Sequence, residues 1–152
     1  MADFINWEVM LDREWTPRNS GDHVAQLSNL FVDSQVLASN TEGSYQGSDA
    51  LVFLFAPPNP DLQPKLVLIT DHFGSCSFCD AWENSNDKTI RELLISIANN
   101  AKLFDSFDEI IKFLDQVIEK IKDGHYGEYF ELRNHARQLR TQMSEAELNL
   151  VE

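Results

Sequence analysis

The sequence predicts an α+β fold: a small antiparallel sheet packed by helices, with a long helix at the C-terminal end. Three observations lead there. Two short runs, "ALVFLFA" (50–56) and "KLVLITD" (65–71), are apolar and rich in β-branched and aromatic residues, the composition of strands buried on at least one face. The segment between them, "PPNPDLQP" (57–64), holds four of the five prolines, so neither a helix nor a central strand continues through it. Beyond residue 84 the apolar residues recur at helical spacing.

The elements follow in order. Residues 2–15 carry Phe4, Ile5, Trp7, Val9, Met10, Leu11 and Trp15 in a pattern that fits neither period 2 nor period 3.6, and their type stays open. "TPRNSGD" (16–22) is a turn by composition. Asp22 can cap a helix with Val24, Leu27 and Phe31 on its apolar side and Leu30 flanking. "SNTEGSYQGSD" (39–49) reads as a loop. The runs 50–56 and 65–71 then pair as an antiparallel hairpin with a stiff connection. Asn86 or Asp87 opens a helix with Ile90, Leu93, Leu94, Ile97, Ala98 and Ala101 on one face. Ser106 and Glu109 form a Ser-x-x-Glu capping box for the next helix. Its apolar positions, from Phe107 through Ile110, Leu114 and Val117 to Ile121, keep a 3.6-residue period, and Gly124 ends it. In the last segment Tyr129, Leu132, Ala136, Leu139, Met143, Ala146 and Leu150 alternate spacings of three and four. That is a heptad seam, narrower than a core-facing helix usually needs. Residues 1–124 are thus expected to form one α+β domain, and 125–152 a C-terminal helix that packs on it or meets a partner. The second alternative makes Tyr129, Leu132, Leu139 and Met143 candidate contact residues, for a protein partner or for a homodimer.

The chain of 152 residues is long enough to bury a core without a disulfide or metal staple. Its 25 acids against 12 bases leave a net charge of −13, which disfavours direct binding to nucleic acid or to an anionic membrane. The first 64 residues carry −7 of this with only two bases, whereas in the remainder the signs are well mixed. Met1 is followed by no basic region leading into an apolar run, and no apolar stretch approaches the roughly 20 residues of a membrane span. A soluble, cytoplasmic protein is expected.

The chemistry-bearing motif is Cys76-x-x-Cys79, just after the second predicted strand. Dithiol catalysis of the thioredoxin kind needs a long helix after the motif and a later proline against the thiols. Here "DAWENSND" allows at most one helical turn, and no proline follows Pro64. Structural zinc needs four ligands, of which the pair supplies two. His72 and Asp80 are the nearest further candidates, which makes His72, Cys76, Cys79 and Asp80 the metal alternative. The remaining reading is a shaped corner. In it the cysteines pack as small hydrophobes, Gly74 permits a tight turn, and Ser75, Ser77 and Asp80 bond the amides of the bend. Gly74, Ser75 and Asp80 are then the candidate binding residues, since turns at strand ends often hold ligands.

"GSCSFCDAWE" (74–83) resembles a Gly-Ser-Cys-Ser-x-Cys-Asp-x-x-Glu/Gln signature of small, largely uncharacterised bacterial and phage proteins. The match is good over about ten residues and loose over 45–114. In those proteins too the motif follows a strand and precedes helices. The resemblance implies this architecture and a phage or bacterial accessory protein, and adds no chemistry. No Gly-rich phosphate loop, G-x-S-x-G elbow or His-Glu-x-x-His is present, and His23, His72, His125 and His135 are widely spaced. The functional expectation is a non-enzymatic acidic binding protein that meets a protein partner, basic in character and in its narrower form a nucleic-acid-binding enzyme that it inhibits. No cofactor is expected in that case. The alternative is a zinc-binding or thiol-redox protein centred on Cys76 and Cys79.

Overall fold

A computed structural model of the chain describes residues 34–43, 47–55, 61, 63–73, 92, 96–97, 99–124 and 127–151. The fold is α+β. Strands β1 (Ser34–Gly43), β2 (Gly47–Phe55), β3 (Lys65–Phe73) and β4 (Lys102–Phe104) form one antiparallel sheet in the order β1-β2-β3-β4. Helix α1 (Phe107–Lys122), a 3-10 helix (Gly127–Leu132) and helix α2 (Ala136–Val151) follow.

The expected hairpin is present and longer than its apolar runs: β2 and β3 pair from Gly47 opposite Phe73 to Phe55 opposite Lys65. Two expectations are corrected. Within the loop expected at 39–49, residues 39–43 and 47–49 are strand, paired between β1 and β2 in register from Ser39 opposite Leu51 to Gly43 opposite Gly47. Asn40 and Glu42 have poor strand propensity and glycine stands on both sides of the last pair, and side chains from distant parts of the chain hold this end in place, as shown below. At Gly47 an added Cβ would lie 1.8 Å from the Glu42 carbonyl oxygen, so only glycine fits there. The second correction is that helix does not run unbroken after residue 84. Glu92, Ser96, Ile97, Asn99 and Asn100 are helical, but β4 intervenes at Lys102–Phe104. Its three residues add an edge to β3 from Leu66 opposite Phe104 to Leu68 opposite Lys102.

Alternation along the strands sorts the core. Ala38, Ala50, Val52, Leu66 and Leu68 face one way and form a cluster with Ile110, Leu114, Val117, Leu132, Ala136, Leu139 and Met143 from the helical elements. The alanines at 38 and 50 leave room for α2 to lie close to β1. On the opposite face Leu51, Phe53, Val67 and Ile69 are also buried. Burial on both faces explains why these strands read as continuous apolar runs.

The caps of α1 match the sequence signals. Ser106 Oγ accepts a hydrogen bond from the Glu109 amide at 3.2 Å, and Glu109 Oε2 accepts one from the Asp105 amide at 2.8 Å. At the other end Gly124 takes φ +75° and donates its amide to the Ile121 carbonyl at 3.1 Å, the left-handed stop that favours glycine.

The last segment is two elements. Tyr129 and Leu132 lie on the 3-10 helix, a turn at Arg133–His135 intervenes, and α2 starts at Ala136. The spacing of three and four survives the break, and the seam packs inside the domain. Leu132, Ala136, Leu139 and Met143 are buried, and Tyr129 stacks edge-on against Phe113 at 5.7 Å between ring centres. Phe113 in turn meets Phe104 at 5.2 Å, which joins β4, α1 and the 3-10 helix. Among the described residues no helix is long and apolar enough to cross a membrane.

Candidate functional site

Polar chemistry inside the described structure gathers at the β1–β2 hairpin, where β1 meets the start of α2. His135 is the last residue before α2, and its carbonyl accepts the helix's first amide bond, from Leu139 at 3.0 Å. Its own amide donates to the Leu132 carbonyl at 3.0 Å. The imidazole is fully buried, 0% exposed. Asn40 Nδ2 lies 2.9 Å from Nδ1, and Ser48 Oγ lies 2.7 Å from Nε2.

These partners assign the tautomer. Asn40 Nδ2 also points at two acceptors, the Asn134 carbonyl at 3.3 Å and Glu42 Oε1 at 3.4 Å. A flipped amide would set its oxygen against both, so the NH₂ group faces them and Nδ1. Nδ1 therefore accepts, Nε2 carries the proton, and Ser48 Oγ accepts from it. A base that activated the Ser48 hydroxyl would need the reverse arrangement, with a lone pair on Nε2. The histidine is a crosslink between β1, β2 and α2.

A second tie lies two turns along α2. The Gln142 carboxamide accepts from the Ser39 amide at 2.9 Å and donates to the Ser39 carbonyl at 2.8 Å. Both backbone groups of one residue on the outer strand are thus held by one side chain, as a neighbouring strand would hold them. Beyond it, α2 and the first residues of β1 enclose an open cleft of about 300 Å³ lined by Gln35, Val36, Leu37, Gln142, Glu145 and Ala146.

On the other sheet face three polar residues lie side by side across the strands: Thr41 opposite Asp49, and Asp49 opposite Asp71. Asp49 is 1% exposed and Asp71 8%. The Thr41 hydroxyl donates to Asp49 Oδ1. Burial pushes the Asp49 carboxyl up to about 6, and the threonine bond offsets only part of this.

The residues singled out in the sequence fall in three places. Gly74, Ser75, Cys76, Cys79 and Asp80 lie outside the described residues, as do residues 2–15, the 16–22 turn and the helix expected after Asp22. His72 has its backbone in β3, opposite Ser48. Leu132, Leu139 and Met143 are buried in the chain's own core and Tyr129 packs against it, so they form no exposed seam. Sequence reasoning missed the cluster of His135, Asn40, Ser48, Gln142 and Ser39. Its one signal was a histidine in the middle of an apolar seam, three residues after Leu132 and four before Leu139.

Comparison with known proteins finds no matching family model, no matching curated protein and no matching solved structure.

Proposed function

We propose that this chain is a small acidic binding protein that works by contact with a basic protein partner and performs no chemistry of its own. The observation that carries the reading is the net charge of −13, which accelerates encounter with a positively charged surface and repels polyanions. The place of His135 supports it, because this buried imidazole lies between Asn40 and Ser48 and links strands to α2. Inhibition of a basic nucleic-acid-binding enzyme is the narrower form. Along α1 it has less support. The exposed acids Asp108, Glu109, Asp115 and Glu119 are interleaved with Lys112, Lys120 and Lys122, and Asp115 and Glu119 pair with Arg140 and Lys122. A phosphate-like stripe would be continuous.

The test is capture of partners by the immobilised full chain from extract of its host, at about 50 mM and then about 500 mM salt, a range over which screening shortens from more than 10 Å to a few ångströms. The expected result is a protein of net positive charge held at low salt and released at high salt. Capture of nothing, or of a partner whose retention ignores salt, overturns the reading.

The spacing of Cys76 and Cys79 motivates a second reading, zinc or thiol chemistry with His72 and Asp80 as further ligands. Elemental analysis of untagged protein decides it: about one equivalent of zinc establishes the reading, and less than about a tenth, with slow thiol labelling, removes it.

A further inference from the structure

Among the described residues β1 is the outer strand of the sheet. Its edge can be followed residue by residue. Ser39 turns its N–H and C=O away from β2, since Gln142 takes both. The pairing register shifts between Val36 and Ala38, so that Val36 stands opposite Phe53 just as Ser39 stands opposite Leu51, two residues earlier on β2. Alternation along β2 makes these two positions equivalent, and Val36 therefore also presents its N–H and C=O outward. Val36 is 38% exposed and Gln35 is exposed as well. The cleft between this edge and α2 begins where the Gln142 carboxamide ends.

An outward row of amide and carbonyl groups is a template for an added strand. The Gln142–Ser39 pairing shows this edge holding an amide in that manner at 2.8–2.9 Å. It also closes the middle of β1 to a second strand, whereas toward Val36 no described strand pairs with this edge. The cleft supplies the chemistry of the guest. Among the described residues that line it, Glu145 carries the one charge, beside Val36, Leu37 and Ala146, in a chain of net −13. A second copy of the chain would bring the same charge and the same carboxylate to the contact.

We propose that the Val36 end of β1 accepts, as an added strand, an extended lysine- or arginine-bearing segment of a protein partner, with the basic side chain set against Glu145 in the cleft. This rests on the reading of the chain as an acidic binding protein and names the surface through which it binds.

The probe is a fluorescein-labelled peptide of sequence TVKVKVT, with two controls: TVEVEVT, and the lysine peptide N-methylated on alternate amides so that it cannot pair as a strand. Anisotropy at low ionic strength and amide exchange at Val36 are read on the full chain. Expected are binding of the lysine peptide, slower exchange of the Val36 amide, and weakening by about tenfold or more on N-methylation, the scale of one or two backbone bonds. Val36→Pro removes the outward N–H at an edge position that tolerates proline and should weaken binding by a similar factor, and Glu145→Lys by about threefold or more. Equal binding of the N-methylated or the glutamate peptide overturns the proposal without any variant having to fold. So does a Val36 amide already protected in a peptide-free chain that sediments as a dimer, which would make the occupant a second copy. If Val36→Pro still captures the salt-sensitive partner from host extract, this surface is wrong while the acidic-binding reading stands. If the wild type captures nothing, that reading fails.

Discussion

His135 Nε2 lies 2.7 Å from Ser48 Oγ, across 87 residues of chain, with the ring fully buried. The contact ties the second strand of the hairpin to the first residue before α2, and Asn40 on the opposite ring nitrogen adds the outer strand. Replacing His135 by alanine removes a buried ring and leaves Asn40 and Ser48 without it. We expect a loss of about 3 kcal/mol or more in denaturant unfolding, from cavity and unmet hydrogen bonds together. Ser48→Ala should cost about 1–2 kcal/mol, and the double variant less than the sum, with a coupling of about 1 kcal/mol. Strictly additive losses would mean that the two side chains do not share a bond.

The Gln142 carboxamide both donates and accepts at Ser39. Gln142→Ala should destabilise by about 1–2 kcal/mol, as backbone groups on the outer strand lose their partner. Gln142→Glu is the sharper variant. It keeps size and acceptor but sets a carboxylate oxygen against the Ser39 carbonyl, so at neutral pH it should cost at least as much as alanine and recover in acid. A glutamate variant as stable as the wild type would show that the donated bond contributes nothing.

Asp49 gives the fold a pH dependence of definite sign. Its carboxyl titrates near 6 when folded and near 3.8 otherwise. Between these values the folded chain holds a proton that the unfolded chain has released, so stability contributed by this group is full below about 3.8, falls as pH rises toward 6, and is level above it. At about 1.4 kcal/mol per pH unit the span is roughly 2–3 kcal/mol. Denaturant unfolding followed by far-ultraviolet circular dichroism from pH 4 to 7 should show this slope, and Asp49→Asn should flatten it. An unchanged slope in the variant would assign the effect to another group.

The large apolar residues of α2 divide by burial, on the seam and off it. Leu139 and Met143 are 0% exposed, whereas Leu148 is 69% exposed on the same helix. Leu139→Ala or Met143→Ala should cost about 2–5 kcal/mol, and Leu148→Ser less than about 0.5 kcal/mol. If instead the seam served a partner, the first two would weaken association and leave the isolated chain's melting temperature in place.

What could be read from the sequence was whatever short-range physics settles. The runs 50–56 and 65–71 are short, apolar and rich in aromatic or β-branched residues, and the prolines between them forbid continuation. Ser106, Glu109 and Gly124 mark the ends of α1 because capping is local. The seam from Tyr129 to Leu150 showed which side of the last segment is apolar. It could not show what that side meets, because the spacing of a core face and of a docking face is the same.

The tertiary structure decided the rest. Ser39–Gly43 has the composition of a loop and becomes edge strand because Gln142 and His135, about a hundred residues away, satisfy its polar groups. The three residues of β4 have no signal of their own and exist because β3 offers an edge. Local preference amounts to a few tenths of a kcal/mol per residue, and a buried hydrogen bond or side chain to one or more. Where the two conflict, the distant partner prevails, and its identity is visible only once the chain has folded.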